Sequence, residues 1–191
     1  MVTRSPELQH LRSYIISTAS AYLHNVRWVP GVTCRVCAGI PGAGYDVCYK
    51  CSGHKGRPGL ADRLGFVTYA WEGGQAGRVL RAYKAQGQTS RELVAAVLTY
   101  AVVAHWQCIA RDAGGVPDGW SYVPSLAGRP GPHPLGRIAS QFMGSIPYVP
   151  VDAKPGSGDP RSLDPGHFSV EPTPARHVLL IDDTWVGSRV E

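Results

Sequence analysis

The 191-residue chain contains no run of about 18 apolar residues, so nothing in it reads as a membrane span. Its first ten residues, MVTRSPELQH, lack the apolar core of a secretory signal. There is no internal repeat and no basic run of the kind that forms a disordered nucleic-acid-binding tail. These absences point to a cytoplasmic protein of one domain, with room for a small appendage. Disulfides do not persist in that compartment, so the five cysteines are expected to be reduced, metal-bound or buried. The 23 glycines and 16 prolines stay below the combined share of roughly 25–30% that marks disorder. They cluster at 113–136 and 153–174, which read as long loops. What remains is a 43% hydrophobic chain, enough for a core, with a net charge of +5. A mild basic excess suits a phosphorylated ligand or a nucleic acid.

Near the N-terminus, Ser5 is placed to cap a helix, Pro6 suits its first turn and Glu7 favours its positive end. Leu8, Leu11, Ile15, Ala19 and Tyr22 recur at helical steps and form one apolar face. FVTYAW (66–71) predicts a strand, and a helix follows from Gln75 to Gln86 with Gly87 placed to end it. Thr89 and Glu92 have capping-box spacing for a helix over 90–111, apolar enough to be buried on most sides. Cys108 lies within it and reads as a packed thiol. WSYVPS (120–125), YVPV (148–151), HFSV (167–170) and HVLLID (177–182) predict strands, the last of them buried, and PLGRIASQFMGS (134–145) a short helix. This alternation predicts an α/β domain with a mostly parallel sheet flanked by helices.

Cys34, Cys37, Cys48 and Cys51 form a C-x2-C-x10-C-x2-C pattern. Two residues between thiols let a tight turn aim both sulfurs at one metal, and two such turns supply a tetrahedral zinc site. The alternative is a pair of disulfides or a redox pair. Four sulfur ligands leave no open position, so the zinc would be structural. Lys50, His54, Lys55 and Arg57 would give this knuckle a basic rim, which reads either as a nucleic-acid contact or as a solvated face. The expected organisation is an N-terminal helix over 1–31, a zinc knuckle over 32–57 and an α/β domain over 58–191.

HVLLIDDTWVGS raises a different possibility. An apolar strand ends in Asp182 and Asp183, and a small-residue loop follows. Open α/β sheets bind ligands beyond the carboxyl ends of their strands, although two acids there can also be a turn and a helix cap. The segment resembles the phosphoribosyl pyrophosphate (PRPP) motif of type I phosphoribosyltransferases. Together with the four-cysteine knuckle, YAWEGGQAGRVLRAYKAQG and the VP segment, it is similar to the competence-protein-F-like members, relatives of amidophosphoribosyltransferase. The resemblance covers most of 30–189. It implies a glycosyltransferase that displaces pyrophosphate from PRPP, with Mg²⁺ at the pyrophosphate. Asp182 and Asp183 would be the catalytic carboxylates that hold the ribose hydroxyls. Thr184, Val186, Gly187 and Ser188 would wrap the 5′-phosphate. Val123, Pro124 and Ser125 match the pyrophosphate segment, Arg129 is a candidate cation there, and Lys84 matches a basic position in the family's helix. A strand-end carboxylate carries little core packing, so substitution of either acid is expected to spare the fold.

The chain departs from the family in two places. Val186 is followed directly by Gly187, where family loops carry a Thr or Ser between them, which predicts weak PRPP binding and slow or absent turnover. The family's next helix and strand are also missing after Glu191. Truncation is the favoured explanation, ahead of a degenerate paralogue or a site completed by another chain in a homo-oligomer. The alternative function is a non-enzymatic module, a zinc-knuckle binder of single-stranded DNA or an accessory of DNA uptake.

Overall fold

The computed structural model describes residues 5–54, 64–71, 73–85, 87–126, 133–154 and 165–183. The first helix, α1 (Pro6–Ala19), begins where local chemistry places it. The Ser5 hydroxyl accepts from the Leu8 N–H at 3.3 Å and Pro6 fills the first turn. Of its apolar face, Ala19 is buried, and Leu8, Leu11 and Ile15 are half-buried.

Two short strands, β1 (His24–Asn25) and β2 (Thr68–Tyr69), pair antiparallel, and α2 (Tyr49–His54) closes the cysteine segment. The strand expected over 66–71 is thus only two residues long. Helix α3 (Gln75–Ala82) stops short of the expected Gln86. The chain leaves the helix where Tyr83, with no exposed surface, turns inward. Gly87 does not terminate α3 with a left-handed turn. Its φ is −72°, and it precedes the first residue of α4 (Gln88–Ala104). The expected capping box fails for the same reason. The helix begins before Thr89, and the Glu92 carboxylate accepts from the Gln88 amide instead, at 3.0 Å.

The helix expected over 90–111 is two helices. Helix α4 ends at Ala104, with His105 as its cap, and α5 (Trp106–Ala113) leaves it at a bend of 64°. Val102, Val103, His105 and Trp106 are all weak helix formers, and they fall together at the break. Leu93, Val94, Ala96 and Val102 are buried, but the other residues of α4 are half-buried or exposed, Val103 among the exposed. Cys108 is exposed, not packed, because the inward stripe of α5 is Trp106, Ile109 and Ala110. No single helix among the described residues is long and apolar enough to cross a membrane.

Strands β3 (Gly119–Tyr122) and β6 (Val178–Ile181) pair in parallel, with Gly119 opposite Val178 and Tyr122 opposite Ile181. On the other edge of β3, Trp120 forms a parallel bridge with Tyr148. Between them in sequence lie α6 (Pro134–Ala139) and the antiparallel pair β4 (Val151–Ala153) and β5 (Phe168–Val170). The described fold is therefore mixed helix and strand with a small parallel sheet. The expectation of a mostly parallel sheet holds for β3–β6 and the Tyr148 bridge, while the other two strand pairs are antiparallel. Strand β6 is also less buried than expected. Only Ile181 is enclosed, and Leu180 is 53% exposed. Val102, Trp120, Leu135, Ala139, Met143 and Ile181 form the core between α4, α6 and the sheet. Gly136 is required there, because a Cβ would lie 2.5 Å from the Tyr122 ring.

The described residues fall into two units. One ends at Arg81, within α3, and the other runs from Ala82 onward. The cysteines belong to the first, and the parallel strands and their carboxylates to the second.

Candidate functional site

In the first unit, the backbone folds the two cysteine pairs onto one point. The Cys34 N–H donates to the Gly39 carbonyl at 2.7 Å, and the Arg35 N–H to the Asp46 carbonyl at 2.9 Å. The first bond closes the turn around Cys37, and the second brings the second pair alongside. Ala38 takes a left-handed φ of 54°, a conformation that is strained for any residue with a Cβ. All four sulfurs lie within 4.8 Å of one another, and the Cys37 and Cys48 sulfurs are 3.7 Å apart. Tetrahedral zinc with Zn–S bonds of about 2.3 Å sets its sulfurs about 3.8 Å apart. The donor set therefore fits a structural metal such as zinc. Among the described residues none of these cysteines is in a disulfide.

Electrostatics favour the same occupant. Burial pushes the Cys34 thiol up, but N–H groups of Cys37, Cys48 and Val36 outweigh it and bring the thiol down to about 6. The Cys48 and Val36 N–H groups reach its sulfur at 3.3 and 3.4 Å. Cys37 and Cys51 go the other way. Burial raises both, and neighbouring thiols raise Cys51 further. Four crowded thiols resist becoming four thiolates unless a cation shares their charge. Val36, Val47 and Phe66 pack around the cluster. The Tyr69 hydroxyl donates to the Ala38 carbonyl at 2.9 Å, tying β2 to the first cysteine turn. Of the expected basic rim, the side chains of Lys50 and His54, and all of Lys55 and Arg57, lie outside the described residues.

In the second unit, the parallel register brings two sequence-distant segments to one edge. Tyr122 and Ile181 are partners, and the Val123 N–H still donates to the Ile181 carbonyl at 3.0 Å. The half-buried Val123, Pro124 and Ser125 thus leave the sheet beside Asp182 and Asp183. The two acids differ. Asp182 is exposed, and its Oδ1 accepts from the Asp183 N–H at 2.7 Å. The Asp183 side chain is 9% exposed, and its Oδ2 lies 2.6 Å from the Lys84 Nζ. The same oxygen accepts from the Tyr83 hydroxyl. Lys84 lies in the turn after α3, not in the helix. Arg129, Thr184, Val186, Gly187 and Ser188 lie outside the described residues.

Two contributions escaped the sequence. Tyr83 stands beside Lys84 in a quoted motif, but only long-range packing makes its hydroxyl a partner of an acid 100 residues away. Asp118 accepts from the Arg176 and His177 N–H groups at 3.1 and 2.8 Å, fixing the start of β6 against β3. Those donors hold its carboxyl below the usual carboxylate range. An acid next to Pro117 and Gly119 reads only as a turn former from sequence.

Comparison with protein families, curated proteins and solved structures finds no match for this chain.

Proposed function

We propose that the second unit is a phosphoribosyltransferase-type module that binds PRPP at the carboxyl ends of β3 and β6, in a chain whose first unit carries a structural zinc knuckle. One observation carries this reading. Lys84 and Asp183, drawn from two separate motifs, form an ion pair at the edge where a parallel sheet binds its ligands. Asp182 accepts ribose hydroxyls as an exposed, oriented carboxylate. The segment Val123–Ser125 carries the pyrophosphate side. Magnesium would be held chiefly by oxygens of the ligand itself, and the exposed Asp182 carboxylate could offer a hard oxygen donor from the chain. It would neutralise the leaving pyrophosphate, while the protein's part is to position the sugar and exclude water. Relative to the family's loop, the residue missing between Val186 and Gly187 would shift later phosphate donors by up to about 3.5 Å, which predicts weak binding and slow or absent turnover.

The test is ligand-induced stabilisation by PRPP with Mg²⁺. A ligand at about 100 times its Kd raises stability by about 2.7 kcal/mol. No shift in unfolding at millimolar PRPP would remove the assignment. Pyrophosphate release should be slow or absent in the native chain and should rise when Thr is inserted between Val186 and Gly187 together with a C-terminal helix and strand.

A second reading has its own support in the first unit. Tyr49 is 94% exposed and Tyr45 69% exposed beside the cysteine cluster, and Arg35 is also exposed. Solvated aromatic rings with an exposed arginine in the same segment suit stacking on single-stranded nucleic acid. That role predicts binding of single-stranded DNA that weakens steeply with salt and does not respond to PRPP.

A further inference from the structure

Resting on the PRPP reading above, we infer that Asp183 is a positioning residue, not a ligand contact. With Tyr83 it holds the Lys84 ammonium at the strand ends as the cation that meets a phosphate or pyrophosphate group. Asp182 alone of the two acids is left to meet the ligand's hydroxyls.

Three features carry this division. First, the Asp183 Oδ2 takes both the Tyr83 hydroxyl and the Lys84 ammonium. An oxygen of a carboxylate has two lone pairs, so these donors use the accepting capacity of Oδ2, and the side chain that carries the other oxygen is only 9% exposed. Second, exposure falls in the order such an anchor requires. Tyr83 has no exposed surface, the Asp183 side chain is 9% exposed, and the Lys84 side chain is 29% exposed. The chain of contacts runs from the interior outward and ends on the cation. Third, charge demands it. A polyphosphate approaching two bare carboxylates would be repelled, whereas Lys84 cancels Asp183 and leaves the ammonium in place for the anion. The Tyr83 ring also lies 6.0 Å from the Lys84 Nζ, so one side chain supports both members of the pair.

The experiment uses the full chain and two probes, PRPP with Mg²⁺ and inorganic pyrophosphate with Mg²⁺, titrated by calorimetry. Lys84→Met and Asp183→Asn should each weaken pyrophosphate binding about tenfold or more. The double variant should bind no worse than Lys84→Met alone, because the acid acts through the lysine. Lys84→Arg should retain most of the affinity, and Tyr83→Phe should lose part of it. Asp182→Asn should weaken PRPP at least tenfold more than it weakens pyrophosphate. The inference is overturned if Asp183→Asn weakens PRPP but spares pyrophosphate, which is the pattern of a direct hydroxyl contact. It is also overturned if Lys84→Met changes neither affinity. Should Asp183→Asn fail to fold, Lys84→Met, Lys84→Arg and Tyr83→Phe still decide the matter through pyrophosphate. Wild-type binding of pyrophosphate with these variant effects but without PRPP binding removes the PRPP reading and leaves the lysine's role standing. Binding of neither probe removes both.

Discussion

Asp182 and Asp183 are neighbours in the chain, but their surroundings assign them opposite consequences on substitution. Asp182→Asn should leave the unfolding midpoint within error and weaken PRPP by about 1.5–3 kcal/mol, the value of a hydrogen bond to a charged group. Asp183→Asn should cost about 1.5–3 kcal/mol of stability in urea unfolding, because the Lys84 ammonium and the Tyr83 hydroxyl lose their anionic acceptor. That corrects the expectation that both substitutions spare the fold, which held only so long as a strand-end carboxylate had no interior partner. A midpoint for Asp183→Asn equal to wild type would show that the pair contributes nothing. Packing sets another residue-scale limit. The Tyr122 ring stacks against His133 and Tyr148, each with centroids 5.8 Å apart, so it cannot swing away from a new methyl group on α6. Gly136→Ala should therefore destabilise by about 1–3 kcal/mol, the usual cost of overpacking, in the same urea assay.

At the scale of elements, start and stop signals were legible where the chemistry is local and illegible where packing decides. Ser5 and Pro6 begin α1 as their side chains alone dictate. The end of α3 depends on Tyr83 finding an acid 100 residues away, and no periodicity carries that information. The α4–α5 break is a cluster of weak helix formers inside an otherwise apolar stretch, and hydrophobicity masked it. Strand β6 was recognisable as a strand, but its half-exposed face was not, because burial depends on what packs over it. The start of β6 is also sensitive to acid. Asp118 titrates below the usual carboxylate range because the Arg176 and His177 N–H groups bind its ionised form. The stability it contributes is present above the unfolded carboxylate value and lost as pH falls through the lowered folded value. Exchange of the Arg176 and His177 amide hydrogens, corrected for intrinsic rate, should accelerate over that acid range. In Asp118→Asn the acid dependence should vanish. Unchanged acid dependence in that variant would assign it to another group.

For the whole molecule, the cysteine cluster was the most legible feature, since two C-x2-C turns carry their geometry with them. The strand-end arrangement was legible only as separate motifs, and the fold joins them through the parallel β3–β6 register. The two units should respond differently to metal removal. Chelation should release one zinc per chain, add four reactive thiols to the exposed Cys108 and disorder the knuckle, while the second unit keeps its far-UV signal. A metal content near zero in freshly purified protein, with the four cluster thiols freely reactive alongside the exposed Cys108, would contradict the zinc site. The proposal that matters most is that anionic sugar phosphate is held where β3 and β6 end. It is tested most directly by calorimetric titration of PRPP with Mg²⁺ into the wild-type chain and into Asp182→Asn. Saturable binding by the wild type, weakened at least tenfold in the variant with an unchanged unfolding midpoint, is the expected result. Equal affinity in the two chains, or no heat in either, would contradict it.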